Sequence, residues 1–348
     1  MKLPKIPKLA PKWQRAVKMW GYSQFYGLAL LLFCFLSFPY ERLRDRVVDA
    51  FNSSQTGPNP LRLELDEVSS YWLSGLEAEG IRVISPPKPP PVGEESATPP
   101  KPTVLTIDSA HARVALLPLL IGSVKLSFGA DAFGGKINGQ TSESDGNRAV
   151  ELEISDVSLE KATLLGEILG LPLAGILSGT IDFVLPEAKL SKADGNVDLK
   201  IQGLSAGDGK TKLRDTIALP RLEAGDLTFK GQAATGQLKV SELGTRGPDL
   251  ELDSEGSIRL RDPVGTSMLT LTTRFHFTDR YTNKNDTTRG IFGAPGSSIP
   301  GLFDLDPKNK RAKGADGFYG WRVTGVLNQP MFTPHPSNAP AAGGKARP

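Results

Sequence analysis

Three histidines, one cysteine and one glycine-rich loop are the residues of this chain whose types suggest chemistry. His111, His276 and His335 lie far apart in sequence. No HxH or HxxxH spacing brings two of them onto one strand or helix face, so the pattern points to single surface histidines rather than metal ligands. The segment Gly203–Thr211, GLSAGDGKT, ends like a phosphate-cradling loop. The first glycine of such a loop would fall at position 204, which is Leu, and no helix pattern follows to offer its N-terminus to a phosphate. The segment reads as a hairpin loop. No G-x-S-x-G nucleophile turn occurs, and the acidic residues alternate along apolar stretches as solvated faces do. Asn52-Ser53-Ser54 and Asn285-Asp286-Thr287 match a glycosylation sequon by spelling only. The sequence therefore predicts no catalytic centre, no cofactor and no metal.

Cys34 sits inside an apolar stretch, which turns attention from chemistry to placement. From Met19 to Tyr40 the clearly polar side chains are Ser23, Gln24 and Ser37. As a helix this stretch spans ~33 Å, enough for a bilayer core. Lys2, Lys5, Lys8, Lys12, Arg15 and Lys18 precede it with no acidic residue among them. This asymmetry predicts a cytoplasmic N-terminus (1–18), a single transmembrane anchor (19–40) and a bulk on the far side. A cleaved signal would need small residues after the apolar core. Here Leu36-Ser37-Phe38-Pro39-Tyr40 follows, and Phe33 occupies the position before Cys34 where a lipoprotein site needs a small side chain. Beyond the anchor there is no thiol, so the exported part has no disulfide.

The bulk composition bounds the rest. The net charge of +3 is concentrated at the N-terminus, which argues against a nucleic-acid-binding body. The 37 Gly and 28 Pro suit many short strands joined by turns. Residues 41–56 read as a juxtamembrane amphipathic helix, with Leu43, Val47 and Phe51 on one face. It either caps the first strands or lies on the outer leaflet. Leu61, Leu63 and Leu65 alternate with charges as in a half-buried strand, and Ile81-Arg82-Val83 reads as a second. Residues 86–102 are too Pro-rich for packed structure.

From Thr103 onward one device recurs: a glycine followed by polar–apolar alternation. It occurs at Gly122–Leu126, Gly179–Phe183, Gly195–Leu199, Gly225–Phe229, Gly236–Val240 and Gly256–Leu260. Each glycine is read as a turn, with hairpins at Asp194-Gly195 and Glu255-Gly256. Ser158–Leu169 reads as a helix covering the sheet, 282–314 as a mobile loop, Phe318–Val326 as a last strand and 332–348 as a disordered tail. The domain 57–331 is thus expected to be mainly β: a curved, mostly antiparallel sheet, a half-open barrel or groove, with one or two short covering helices. Ile181, Phe183, Val197, Leu199, Leu238, Val240, Ile258 and Leu260 should line its apolar face, and Asp182, Asp198, Lys239 and Arg259 the wet one.

Five segments together resemble type II secretion system protein N of Gram-negative bacteria, in its longer variant. They are Phe38–Phe51 (FPYERLRDRVVDAF), Ala112–Gln140, Leu169–Ile201, Gly247–Pro263 and Gly320–Pro334, in order behind a single anchor. The same elements are similar to the wider AsmA-like group, whose members pair an inner-membrane anchor with a lipid-accommodating periplasmic sheet. The resemblance implies an accessory, non-catalytic inner-membrane component of the secretion apparatus, binding other secretion subunits. The alternative is a lipid-handling protein that uses the apolar groove.

Overall fold

The computed structural model describes residues 39–54, 60–72, 74–86, 102–120, 122–162, 171–209, 212–213, 217–218, 220–294 and 299–336, with scattered positions between 21 and 33 and position 296. The basic residues Lys2 to Lys18, Cys34 and most of the expected anchor lie outside this set, as do 87–101 and 337–348. Among the described residues, no helix is long and apolar enough to cross a membrane.

One large antiparallel sheet dominates. Helix α1 (Tyr40–Ser54) leads into β1 (Arg62–Glu64), β2 (Glu67–Tyr71), β3 (Gly75–Ser85) and β4 (Thr103–Val114). A short helix α2 (Leu116–Leu120) precedes β5 (Val124–Ala132), β6 (Gly135–Ser144), β7 (Asn147–Ser158), β8 (Leu173–Leu185) and β9 (Asp194–Ala206). After the small β10 (Lys212–Leu213) and β11 (Ile217–Ala218) hairpin come β12 (Leu222–Ala234), β13 (Gln237–Arg246), β14 (Leu250–Arg259) and β15 (Met268–Phe277). Four short helices, α3 (Asp279–Thr282), α4 (Asp286–Phe292), α5 (Leu302–Leu305) and α6 (Pro307–Ala312), precede β16 (Tyr319–Val326) and β17 (Gln329–Pro334).

The sheet order is β1-β3-β4-β5-β6-β7-β8-β9-β12-β13-β14-β15-β16-β17, with β2 also paired to β3. The two ends do not meet, so the sheet is open and not a closed barrel. Nearly every strand pairs with its neighbour in sequence, the meander that alternating apolar runs and short turns favour.

Three hairpins turn where two consecutive residues take positive φ, the conformation that suits the right-handed strand twist. Phe133-Gly134 (φ 55 and 77), Asp145-Gly146 (52 and 77) and Thr235-Gly236 (49 and 77) are these corners. Asp194-Gly195 and Glu255-Gly256 are not turns, contrary to their reading in the sequence. Gly195 is the second residue of β9 and Gly256 lies inside β14, while Gly179 and Gly225 are also mid-strand. These glycines serve close backbone approach instead. A Cβ on Gly256 would lie 2.2 Å from the carbonyl oxygen of Thr270.

Three further expectations are corrected. Ser158 ends β7 and residues 159–161 form a turn, so no helix starts at Ser158; 163–170 lie outside the described residues. Residues 279–312 carry four helices rather than a bare loop. Asn285 caps α4 by accepting from Thr288 N, and Thr288 and Ile291 are buried. The chain remains in strand β17 as far as Pro334, beyond the expected start of the tail.

Helix α1 lies against the first strands. Asn52 Oδ1 accepts from Leu63 N at 2.7 Å and its amide donates to Leu63 O at 3.3 Å, mimicking a strand neighbour. Arg44 donates to Asp66 O at 3.2 Å. Val47 is 43% exposed, so the inward face runs through Leu43, Val48 and Phe51 instead.

Candidate functional site

The eight residues expected on the apolar face can be followed through the strand register. Ile181 lies opposite Val197, and Phe183 opposite Gly195. Leu199 faces Phe229 and Val197 faces Gly231 on the far side of β9. Leu238 lies opposite Ile258, and Val240 opposite Gly256. Val197, Leu238 and Leu260 are buried in one cluster with Leu185, Ala193 and Ala233, against which Ile181, Phe183, Leu199 and Ile258 pack. Val240 is likewise buried. Asp182, Asp198, Lys239 and Arg259 are exposed on the other face. The sequence period of two thus sorts these side chains as the pleat demands.

The register extends this face far beyond those residues. Starting at β3, Leu76 lies opposite Ala112, Ala112 opposite Phe128 and Phe128 opposite Gly139. Gly139 then faces Leu152, and Leu152 faces Ile181. Beyond Ile181 the line continues through Val197, Gly231, Val240 and Gly256. It ends through Leu271, Val323 and Phe332. Every position in this lateral row is apolar or glycine. At roughly 4.8 Å per strand the row is roughly 58 Å long, measured along the sheet. One residue along each strand, the row is polar from β5 to β16: Ser127, Gln140, Glu151, Asp182, Asn196 and Gln232 lie opposite one another in turn. Lys239, Ser257, Thr270 and Thr324 continue it. Ion pairs such as Lys200–Asp226 at 2.8 Å bridge the strands on this wet face.

One end of the apolar face is covered. Phe275 and Phe277 share the face of Leu269 and Leu271, four and six residues beyond Leu271 along β15. Phe277 packs on Phe292 of α4 at 4.7 Å and on Phe303 of α5 at 5.9 Å, and Phe303 on Tyr319 at 5.1 Å. The helices between β15 and β16 thus close over β15 and β16, leaving a cavity of about 520 Å³. Asp304 accepts from the Tyr319 hydroxyl at 2.6 Å and pairs with Lys313 at 2.6 Å at its edge. Burial, reinforced by Asp304, pushes the Tyr319 hydroxyl well above the usual phenol range. Sequence reasoning missed this cover. Its available signal was the Asn285/Thr288 capping pattern, hidden in a stretch rich in Gly and Pro.

A second buried polar junction fixes the same helices. Asp249 is fully buried, accepts from Glu223 N at 2.9 Å and lies 3.4 Å from both Arg280 and Lys284. Tyr281, also buried, donates to Pro220 O at 2.8 Å. Burial, with the nearby Asp249 charge, pushes its hydroxyl up to about 12.

The histidines stay apart. His111 stacks on Tyr71 at 4.3 Å, His276 lies against Phe318 at 5.2 Å, and His335 sits near Arg322 beyond β17. Among the described residues, no group of three or more His, Cys, Asp or Glu is placed to hold a metal. Gly203 to Ala206 belong to β9, and Gly203 N donates to Asp226 at 3.0 Å rather than opening a phosphate loop. Positions 210–211 lie outside the described residues, and Lys212 begins a strand.

No family model, no curated protein and no solved structure matches the chain.

Proposed function

We propose that this protein is an accessory, non-catalytic component of the type II secretion system, held in the inner membrane by its N-terminal segment, whose periplasmic sheet binds an apolar partner. The observation that carries a binding role is the unbroken apolar row from Leu76 to Phe332, backed by a polar row on the other face. A sheet face of this length presents far more apolar area than the helices over β15 and β16 cover, and such surfaces are occupied by something apolar. Placement in the secretion apparatus rests on the sequence resemblance, with another secretion subunit as the partner.

The continuity of the row favours a second reading. A folded protein partner needs a patch, whereas a groove that stays apolar strand after strand suits an extended acyl chain. This is the lipid-handling role of the AsmA-like group. Purification of the full chain in mild detergent, followed by mass spectrometry of organic extracts, tests it. Recovery of stoichiometric phospholipid from wild type, and its loss from Ile181→Asp with the fold retained, supports lipid handling. A lipid-free protein that co-purifies with secretion subunits supports the scaffold. A protein that yields neither refutes both.

A further inference from the structure

The sheet carries a second apolar feature that the binding face does not use. Between β4 and β5 the chain reads Ala115-Leu-Leu-Pro-Leu-Leu-Ile-Gly122, without a charged or hydrogen-bonding side chain. Leu116, Leu117 and Leu119 are 52%, 79% and 49% exposed. The adjoining β2–β3 corner exposes Trp72 to 68%. The two corners are bonded together: Ser74 Oγ donates to Val114 O at 2.6 Å, and Arg113 lies 5.7 Å from the centre of the Trp72 ring. Exposed leucines concentrated at one tip are unlike single surface apolar residues, which need no explanation.

The position of this tip identifies what covers it. Asn52 of α1 is paired with Leu63, which lies opposite Val83 in β3. Arg44, two turns earlier, reaches Asp66, whose N–H bonds Glu79 O. Going back along α1 therefore moves from Val83 toward Gly75, the end of β3 at the Trp72 corner. The N-terminus of α1 points to the same end of the sheet as Leu116–Leu120, and the apolar segment 19–40 joins it there.

We infer that the Leu116–Leu119 tip and Trp72 form a finger that dips into the outer surface of the same bilayer that holds the anchor. The backbone suits burial there: Gly122 N–H bonds Leu119 O at 3.2 Å, Ser123 N–H bonds Pro118 O at 3.0 Å, and Ala115 N–H bonds Lys125 O at 2.8 Å. Trp72 supplies an interfacial ring, and Arg113 and Lys125 flank the leucines at headgroup level. Together with the anchor, the finger fixes the near edge of the sheet, β2 to β5, against the membrane.

The inference rests on the anchor reading, and the experiment separates the two. The full chain is reconstituted in phosphatidylethanolamine–phosphatidylglycerol vesicles and carries one environment-sensitive fluorophore. The label sits on native Cys34, on L117C in a C34S background, or on E160C in C34S at the opposite end of the sheet. Doxyl-labelled lipids should quench the labels at 34 and 117 and leave that at 160 bright. Serines at 116, 117 and 119 together should abolish quenching of a label at W72C; these side chains are exposed, so the fold is retained. Quenching at 34 without quenching at 117 overturns the finger alone. Bright labels at both 34 and 117 overturn the finger and the anchor together.

Discussion

The carbonyl oxygen of Asp198 occupies the place where residue 179 would carry a Cβ: the distance to an ideal Cβ on Gly179 is 2.1 Å, and Gly179 has φ 152. The central strands β8 and β9 therefore approach more closely here than any side chain permits, beside Leu199 of the apolar face.

Gly179→Ala should accordingly destabilise the sheet by about 3 kcal/mol, from backbone strain and overpacking combined. Gly146→Ala, at a hairpin corner with open space around it, should cost about 1 kcal/mol, from its positive φ alone. Urea unfolding of the two variants compares them directly. Equal losses at both positions would show that the close approach is not maintained.

Phe183→Asp distinguishes an occupied face from a packed one. Phe183 is half-buried opposite Gly195 and beside the Leu185–Leu238 cluster. If neighbouring side chains seal it, the unpaired carboxylate should unfold the domain, with a loss of roughly 3 kcal/mol. If the face is open to a ligand, the melting temperature should hardly move while binding of an apolar fluorescent probe disappears. Melting and probe binding on this one variant are read together. Unchanged melting with unchanged binding would remove Phe183 from the face altogether.

The face itself was legible because strand side chains alternate with period two. Ile181/Phe183 and Leu238/Val240 announce their side whatever the strands pair with. The turns were less legible. Gly179, Gly195 and Gly256 look like corners in a string of letters, but a glycine is also required where backbones crowd, and only the register tells the two apart. The helices over β15 and β16 were hidden for a different reason. Their segments are shorter than two turns, so no apolar period develops, and aromatic packing through Phe292 and Phe303 holds them rather than helix propensity.

Asp249 should prove the clip that holds those helices to the sheet. Its carboxylate is fully buried and joins β12, through Glu223 N, to Arg280 and Lys284. Asp249→Ala leaves that buried amide without its acceptor and cuts Arg280 and Lys284 back to their contacts with Glu223 and Arg221 O, and should cost roughly 3 kcal/mol. Hydrogen exchange should show the loss concentrated in 279–312, with β5 to β8 unchanged. Uniform deprotection across the sheet would instead make Asp249 part of the global core.

Tyr281 gives the protein an alkaline limit. Its hydroxyl is buried, donates to Pro220 O, and ionises only at about 12, above the ordinary value of 10.0. A phenol whose folded pKa is raised stabilises the fold fully below the unfolded value, and that contribution is lost as pH rises through the folded one. Stability should therefore be level in this respect up to about pH 10 and fall between about pH 10 and 12. Tyr281→Phe should be less stable than wild type at neutral pH, having lost the bond to Pro220, yet show a shallower decline in the alkaline window. Tyrosinate absorbance at 295 nm, followed with circular dichroism over the same titration, checks both parts. A variant whose stability falls as steeply as wild type would transfer the alkaline limit to another group, with Tyr319 beside Asp304 the next to replace.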